Sequence, residues 1–278
     1  MSPAPLGFLS LQSRYVVEGT LKSMAAMHVG SGLEGVNSDA AWMRDAAGIF
    51  IPGSSLRGVM RSTLERILQS VRPERGCVLF LTDSGSRCAT ACEAERTKLE
   101  KLPEAERLKK IYAGDLCDIC LLFGSPLLAS RLRVSDSRPG KAVEPQPRHG
   151  VGIDRDTETA REKIKFDFEA LEAGPRFGFR IELENARPQD FALLGILLIE
   201  MQSTGLWVGG KKSRGLGHCV LEPEYRVSHF DNDGPFKLPE YLKTGQLKKF
   251  ETKDFAARLA AAVSHYLEEA SHVQAAGQ

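Results

Sequence analysis

A chain of 278 residues that is 42% hydrophobic can bury a sizeable core, as one large domain or two small ones. With 37 basic and 36 acidic residues its formal net charge is +1, so any polyanion must meet a local basic patch and not a bulk field. No apolar run reaches about 18 residues, which excludes a membrane-spanning helix.

The opening residues MSPAPLGFLSLQSRY lack the charged start and apolar centre of a secretory signal. Six cysteines, four of them in close pairs, fit a reducing compartment and a metal better than disulfides. The expectation is a cytoplasmic protein with no membrane partner.

RYVVEGTLKSMAAMHVG alternates as a first strand ending near His28. A glycine-rich polar segment, GSGLEGVNSDAAWMRDAAG, follows it. In IFIPGSSLRGVMRSTLERILQSV, Leu56, Met60, Leu64, Ile67 and Leu68 recur at helical spacing, with Ser54 or Ser55 as N-cap. Residues 75–123 hold every cysteine but Cys219 and a charged helical stretch, so they read as an insertion with its own organisation.

SRLRVSD is a short strand, and the turn-rich residues 141–165 are expected to form a long loop or extended hairpin. IKFDFEAL and RFGFRIEL alternate as strands and are expected to pair through EAGP. DFALLGILLIEMQSTG is a buried helix, HCVLEPEY a strand and KDFAARLAAAVSHYLEE an amphipathic helix within an extension over 224–278. The order is compatible with an α+β, ferredoxin-like β-α-β-β-α-β core carrying insertions in a single domain.

Two glycine motifs imitate nucleotide sites. Gly205, Gly210 and Lys211 have P-loop spacing, but Lys212 stands where Ser or Thr would hold magnesium, and the segment follows a helix instead of opening one. GSGLEG matches G-x-G-x-x-G, but VNSDAAWMRD is a poor helix start, and no acidic residue occurs from Ala46 to Thr63. Both are rejected. The remaining readings of residues 205–217 are a solvated turn, or a groove in which glycines admit a backbone and Lys211, Lys212 and Arg214 meet phosphates.

Cys88 and Cys92 form C-x3-C, and Cys117 and Cys120 form C-x2-C, separated by a spacing that suits a structural tetrahedral zinc site. Cys77 is an alternative ligand able to replace Cys88 or Cys92. The competing reading is free buried cysteines.

In chain order, GIFIPGSSLRGVMRS, CLLFG, HGVGIDRDTETA and GGKKSRGLGHCVLE together resemble the RAMP superfamily. Within it they are similar to the backbone subunit of type III CRISPR-Cas effector complexes, over roughly residues 15–222. The cysteine-bearing insertion is similar to that of zinc-containing variants. The resemblance implies a ferredoxin-like (RRM-like) core whose copies stack, with other effector subunits, along a CRISPR guide RNA.

It further implies that Gly209, Gly210, Lys211, Lys212, Ser213 and Arg214 lie against the guide backbone, together with Ser54 and Ser55. Arg57 and Arg61, one turn apart, would join them. Residues 141–165 would form a thumb that wedges between guide and target bases, and His149, Asp154 and Arg155 would touch RNA there. By position, Asp39 matches the aspartate that cuts complementary target RNA with a divalent metal such as Mg2+. Asp45 and His28 match supporting positions.

RNA brings its own 2′-OH nucleophile, so alignment of a splayed nucleotide supplies much of the acceleration. A carboxylate then takes a proton or holds a cation on the phosphate. Two other readings stay open: the same guide scaffold serving a separate nuclease, and a stand-alone endoribonuclease that processes CRISPR RNA with a histidine-based site.

Overall fold

Alternation in β1 (Ser13–Ser23) turns Tyr15, Val17 and Leu21 to one face, where all three are buried. The computed structural model that shows this describes residues 8–32, 40–78 and 88–275, the side chains of 160–165 and 270–275 excepted. After β1 come a small ribbon, β2 (Arg44–Asp45) and β3 (Gly48–Ile49), and the long helix α1 (Gly53–Val71). The insertion contributes α2 (Glu93–Glu100), α3 (Glu104–Lys110) and α4 (Asp118–Phe123).

Next are β4 (Leu132–Val134), β5 (Gln146–Ile153), β6 (Ala160–Ala170), β7 (Arg176–Glu184) and α5 (Pro188–Ser203). The chain finishes with β8 (Leu206–Trp207), β9 (His218–Leu221), β10 (Arg226–Asp231), α6 (Leu238–Thr244), β11 (Lys248–Phe250) and α7 (Thr252–Ala275).

The main sheet is antiparallel in the order β11-β10-β1-β7-β4, and β9, itself paired with β8, lies beside the end of β1. Setting β10 and β11 aside leaves β9-β1-β7-β4, with α1 linking β1 to β4 and α5 linking β7 to β9. That arrangement is compatible with a ferredoxin-like core. Helices cover one face: Leu56, Met60, Leu64 and Leu68 of α1, and Leu194, Leu197 and Leu198 of α5, are buried with Phe177, Phe179 and Ile181 of β7.

The opposite face is a lattice of ion pairs. Arg14 meets Glu182 and Glu184 at 3.2 and 2.5 Å, Arg133 meets the same two carboxylates, and Arg180 meets Glu18. RRM sheets stack bases on aromatic side chains on such a face. Here the corresponding positions of β1 and β7, mostly charged and with Val16, Thr20 and Gly178 between the charges, carry no aromatic side chain.

Three sequence expectations change. The strand β1 stops at Ser23, and the chain to His28 continues as irregular backbone pinned by the bridge of Met27 to Leu171. Neither Ser54 nor Ser55 caps α1: Pro52 is the N-cap, and the Gly53 N–H is satisfied from across the fold by Asp136 Oδ1 at 2.7 Å. The strands β6 and β7 do not pair. Instead β6 pairs with β5 from Gln146 to Ala170 as a separate two-stranded hairpin, while β7 takes the central place beside β1. Among the described residues no helix is long and apolar enough to cross a membrane.

Helix α7 packs on α5 through Phe255, against Phe191, and through Leu259 and Val263, against Gly195. At Gly195 a Cβ would lie 2.8 Å from Val263 Cγ2 and 3.3 Å from Leu259 Cβ. Tyr266 of α7 donates to Asp118 of α4 at 2.9 Å, which ties this helix to the insertion. Gly195→Val should therefore lever α7 away and destabilise the protein by about 1–3 kcal/mol, the usual cost of overpacking. Urea unfolding measures that loss, and limited proteolysis should cut first between α6 and α7.

Candidate nucleic-acid interface

The glycine-rich segment closes into a loop because backbone meets backbone with no side chain between. Val208 N–H donates to Gly217 O, Gly217 N–H to Ala26 O and Gly210 N–H to His28 O, each at 2.8 Å. Gly209 and Gly217 have φ of +88° and +94°, and a Cβ on either would come within 2.1 Å of a carbonyl oxygen, His28 O or Val208 O. Only glycine fits both the handedness and the approach.

The loop then leans on the β5–β6 hairpin. Leu216 is buried with Phe168 and Ala170 in a small core of their own. The Phe166 ring lies over Gly150 on the opposite strand. Lys211 Nζ sits 4.6 and 4.4 Å from the ring centres of Phe166 and Phe168, and the Arg214 guanidinium 5.5 Å from Phe166. Each such cation–π contact is worth about 0.5–2 kcal/mol according to its exposure.

Below the loop, His28 is 6% exposed and edge-on to Trp42 and Phe168. Its Nδ1 lies 2.6 Å from Glu169 O, and because a carbonyl only accepts, Nδ1 carries the proton. His28 therefore holds the loop through its own carbonyl and the hairpin through its ring.

What these contacts leave open is a groove of about 480 Å³. Val29 and Gly30 line one side, Ser54, Ser55, Gly58, Val59 and Ser62 of α1 another, and Gly209, Gly210 and Lys212 the loop side. The start of α1 carries no acidic residue in its first turn, and the one carboxylate on it is that of Asp136, on the Gly53 N–H. Ser54, Ser55, Gly209, Gly210 and Lys212, picked from two distant segments of the sequence, thus come together.

Ser213 and Arg214 are exposed on the rim of the loop, and Lys211, in a left-handed conformation, points to the hairpin phenylalanines instead. Arg57 and Arg61 do not line the groove. They fall on the α1 face that leans on the insertion: Arg57 donates to Phe123 O. Arg61, 5% exposed, donates to Glu65 at 2.8 Å, Gly124 O at 3.0 Å and Cys120 Sγ at 3.2 Å. Missed from sequence were Val29 and Gly30, and, on α1, Gly58, Val59 and Ser62. The spacing of these last three after Ser55, three, four and seven residues on, is the signal of one helix face.

Asp39 lies outside the described residues. The next residue, Ala40, bridges Phe168 and accepts the Glu169 N–H at 3.1 Å. Asp45 is engaged on both oxygens, by Arg138 at 3.1 and 2.5 Å and by the Ala47 N–H at 2.9 Å. The Arg138 guanidinium and that turn bond hold its carboxyl below the usual range. In the hairpin, His149 meets Asp167 at 2.8 Å. Asp154 folds the tip by accepting from Asp156 N–H and Thr157, which leaves Arg155 exposed there beside Ile153.

The second cluster is cysteine. Cys77, Cys88, Cys117 and Cys120 are buried with all four sulfurs within 4.8 Å of one another. Cys77 Sγ is 3.5 Å from both Cys117 Sγ and Cys120 Sγ, near the separation of about 3.8 Å that tetrahedral zinc–thiolate bonds require. This donor set fits a metal ion such as zinc, with the Cys117 N–H and Arg61 both directed at sulfur.

Cys92 is not among the four. It is the N-cap of α2, its N–H bonded to Cys88 O at 3.1 Å, and Cys77 takes its place. Cys77→Ser should abolish the thiolate-to-cobalt absorption of Co(II)-loaded protein or weaken it severalfold, whereas Cys92→Ser should leave it intact.

No curated protein matches the chain in sequence. The family model of the RAMP superfamily matches residues 20–220, which takes in the end of β1, α1, the insertion, the β5–β6 hairpin, α5 and the glycine-rich loop. That span holds every wall of the groove, and the chain belongs to the RAMP superfamily.

Proposed function

We propose that the chain is a guide-RNA-binding backbone subunit of a type III CRISPR-Cas effector complex. RAMP membership makes it a CRISPR-associated RNA-binding protein. One observation supports the finer reading most: the start of α1 and the glycine-rich loop, 155 residues apart from Ser54 to Gly209, meet in one groove. Its walls are small residues, serine hydroxyls and Lys212. That chemistry suits a ribose-phosphate strand held by shape and charge without reading bases.

On this reading the β5–β6 hairpin is the thumb, with Val151 and Ile153, 46% and 66% exposed, as apolar wedges for the paired strand. Copies of the chain and other effector subunits would align along the guide. Cys77, Cys88, Cys117 and Cys120 would hold structural zinc, which braces α1 through Arg61.

Asp39 is proposed as the residue that cuts complementary target RNA, with a divalent cation such as Mg2+ to neutralise phosphate charge. The protein supplies position: Ala40, Trp42 and Arg44 are pinned to Glu169 by its N–H and carboxylate, at 3.1, 2.7 and 2.7 Å. A non-cleaving scaffold is the second reading, favoured by the commitment of Asp45 to Arg138 and of Glu169 to Trp42 and Arg44. Asp39→Ala in a reconstituted complex separates the two: loss of target cutting supports cleavage by this subunit, and undiminished cutting supports the scaffold.

Binding of single-stranded RNA to the full chain tests the groove itself. Lys212→Glu should weaken it regardless of sequence and lower the slope of log K against log salt by about 0.7 for each phosphate that Lys212 neutralises. An unchanged affinity and slope would remove Lys212 from the interface.

A further inference from the structure

We propose that the groove continues along α1 into the depression next to it, where Arg66 binds further phosphates of the same strand. The inference rests on the groove being an RNA site and adds a cationic contact that no groove residue supplies.

Helix α1 and the residue after it carry four arginines, and three of them are committed within the fold. Arg57 donates to Phe123 O. Arg61 donates to Glu65, Gly124 O and Cys120 Sγ. Arg72 lies over the Tyr266 ring and donates to Glu74, Glu269 and Tyr266 O. Arg66 is the exception. It is exposed, and among the described residues its guanidinium has no hydrogen-bond or ion-pair partner. The one acid of α1, Glu65, is buried and bound to Arg61.

Spacing puts Arg66 in line with the groove. Ser55, Val59 and Ser62 line it, and Arg66 follows Ser62 by four residues, so the four form one stripe at steps of four, three and four. Residues four apart on a helix are neighbours, with Cβ atoms about 5–6 Å apart. Along α1 the groove ends at Ser62, and at Thr63 a second depression of about 350 Å³ begins, lined by Arg66, Ile67, Ser70 and Val71 and, from α5, by Glu200. The two hollows therefore adjoin along the helix, and Arg66 belongs to the stripe of the first and the wall of the second.

From Ser54 to Arg66 the helix rises about 18 Å, a length that several phosphates of a stacked strand span at about 3.4 Å each. A strand seated on Gly209, Gly210 and Lys212 and running along the stripe thus reaches Arg66. The guanidinium fork suits a phosphate, to which it donates two parallel hydrogen bonds. Among the described residues Glu200 is the one carboxylate on these walls, and it makes no ion pair with Arg66, which leaves the guanidinium for an external anion. An arginine that only solvates the helix would be equally exposed, and salt dependence separates the two.

The test titrates the full chain with mixed-sequence single-stranded RNA at several salt concentrations. Arg66→Gln keeps a good helix former and removes the charge. It should weaken binding about 3- to 10-fold whatever the sequence, and lower the slope of log K against log salt by about 0.7 for each phosphate released. Arg66→Lys should restore the slope, and Arg66→Gln combined with Lys212→Glu should lower it by the sum of the two.

An unchanged slope in Arg66→Gln beside a lowered one in Lys212→Glu would overturn the continuation and leave the groove standing. Weaker binding at an unchanged slope would do the same, since it marks a structural loss and not a lost phosphate. Slopes unchanged in both variants would overturn the groove and the continuation together. A second readout needs no variant to fold. Bound RNA should protect Arg66 of the unsubstituted protein from an arginine-selective dicarbonyl reagent, read by mass spectrometry, while Arg226, exposed beside Glu18 on the charged face of the sheet, stays reactive. Equal modification of Arg66 with and without RNA would overturn the proposal.

Discussion

The carbonyl oxygen of His28 is the point on which the site depends. It accepts the Gly210 N–H at 2.8 Å and stands where a Cβ on Gly209 would be, 2.1 Å away. One oxygen thus forces glycine on the loop and seats it against the continuation of β1. The same residue reaches the hairpin through Nδ1 and Glu169 O. Backbone from three distant parts of the chain is fixed at one place, and the groove is the space these contacts leave beside α1. A loop held this way is preorganised, so a bound strand does not have to order it.

Helix α1 serves two surfaces because its faces differ in chemistry. Ser55, Gly58, Val59 and Ser62 present a low, open face to the groove. Arg57, Arg61 and Glu65 turn to the insertion, where Arg61 donates to Cys120 Sγ. A buried cation beside clustered thiols favours the thiolate and offsets the negative charge of a four-thiolate metal site. The cysteine insertion is thereby joined to the helix that forms one wall of the groove. Its tie to α7 through Asp118 and Tyr266 extends the same brace to the last helix.

Much of this was legible in the sequence where local pattern decides. The buried faces of β1, α1 and α5 followed from periodicity, and the helix start and the glycine loop, expected to act together, do line one groove. What was not legible depends on partners far along the chain. IKFDFEAL and RFGFRIEL look like neighbours, yet β6 finds β5 and β7 finds β1, because alternation identifies a strand without naming its mate. The C-x3-C spacing suggested Cys88 with Cys92, but Cys92 begins a helix and Cys77 arrives from the end of α1. Arg61 reads as a surface cation until Cys120 and Glu65 are beside it. Lys211 and Lys212 are indistinguishable as letters, and only the phenylalanines of β6 send them to different places.

The most direct test of the central claim is to map photo-crosslinks from 4-thiouridine-substituted guide RNA on the assembled ribonucleoprotein by mass spectrometry. The account predicts crosslinked peptides from residues 28–30, 54–62 and 209–214 of this chain together. Crosslinks confined to the charged face of the main sheet, with none in those three segments, would contradict it.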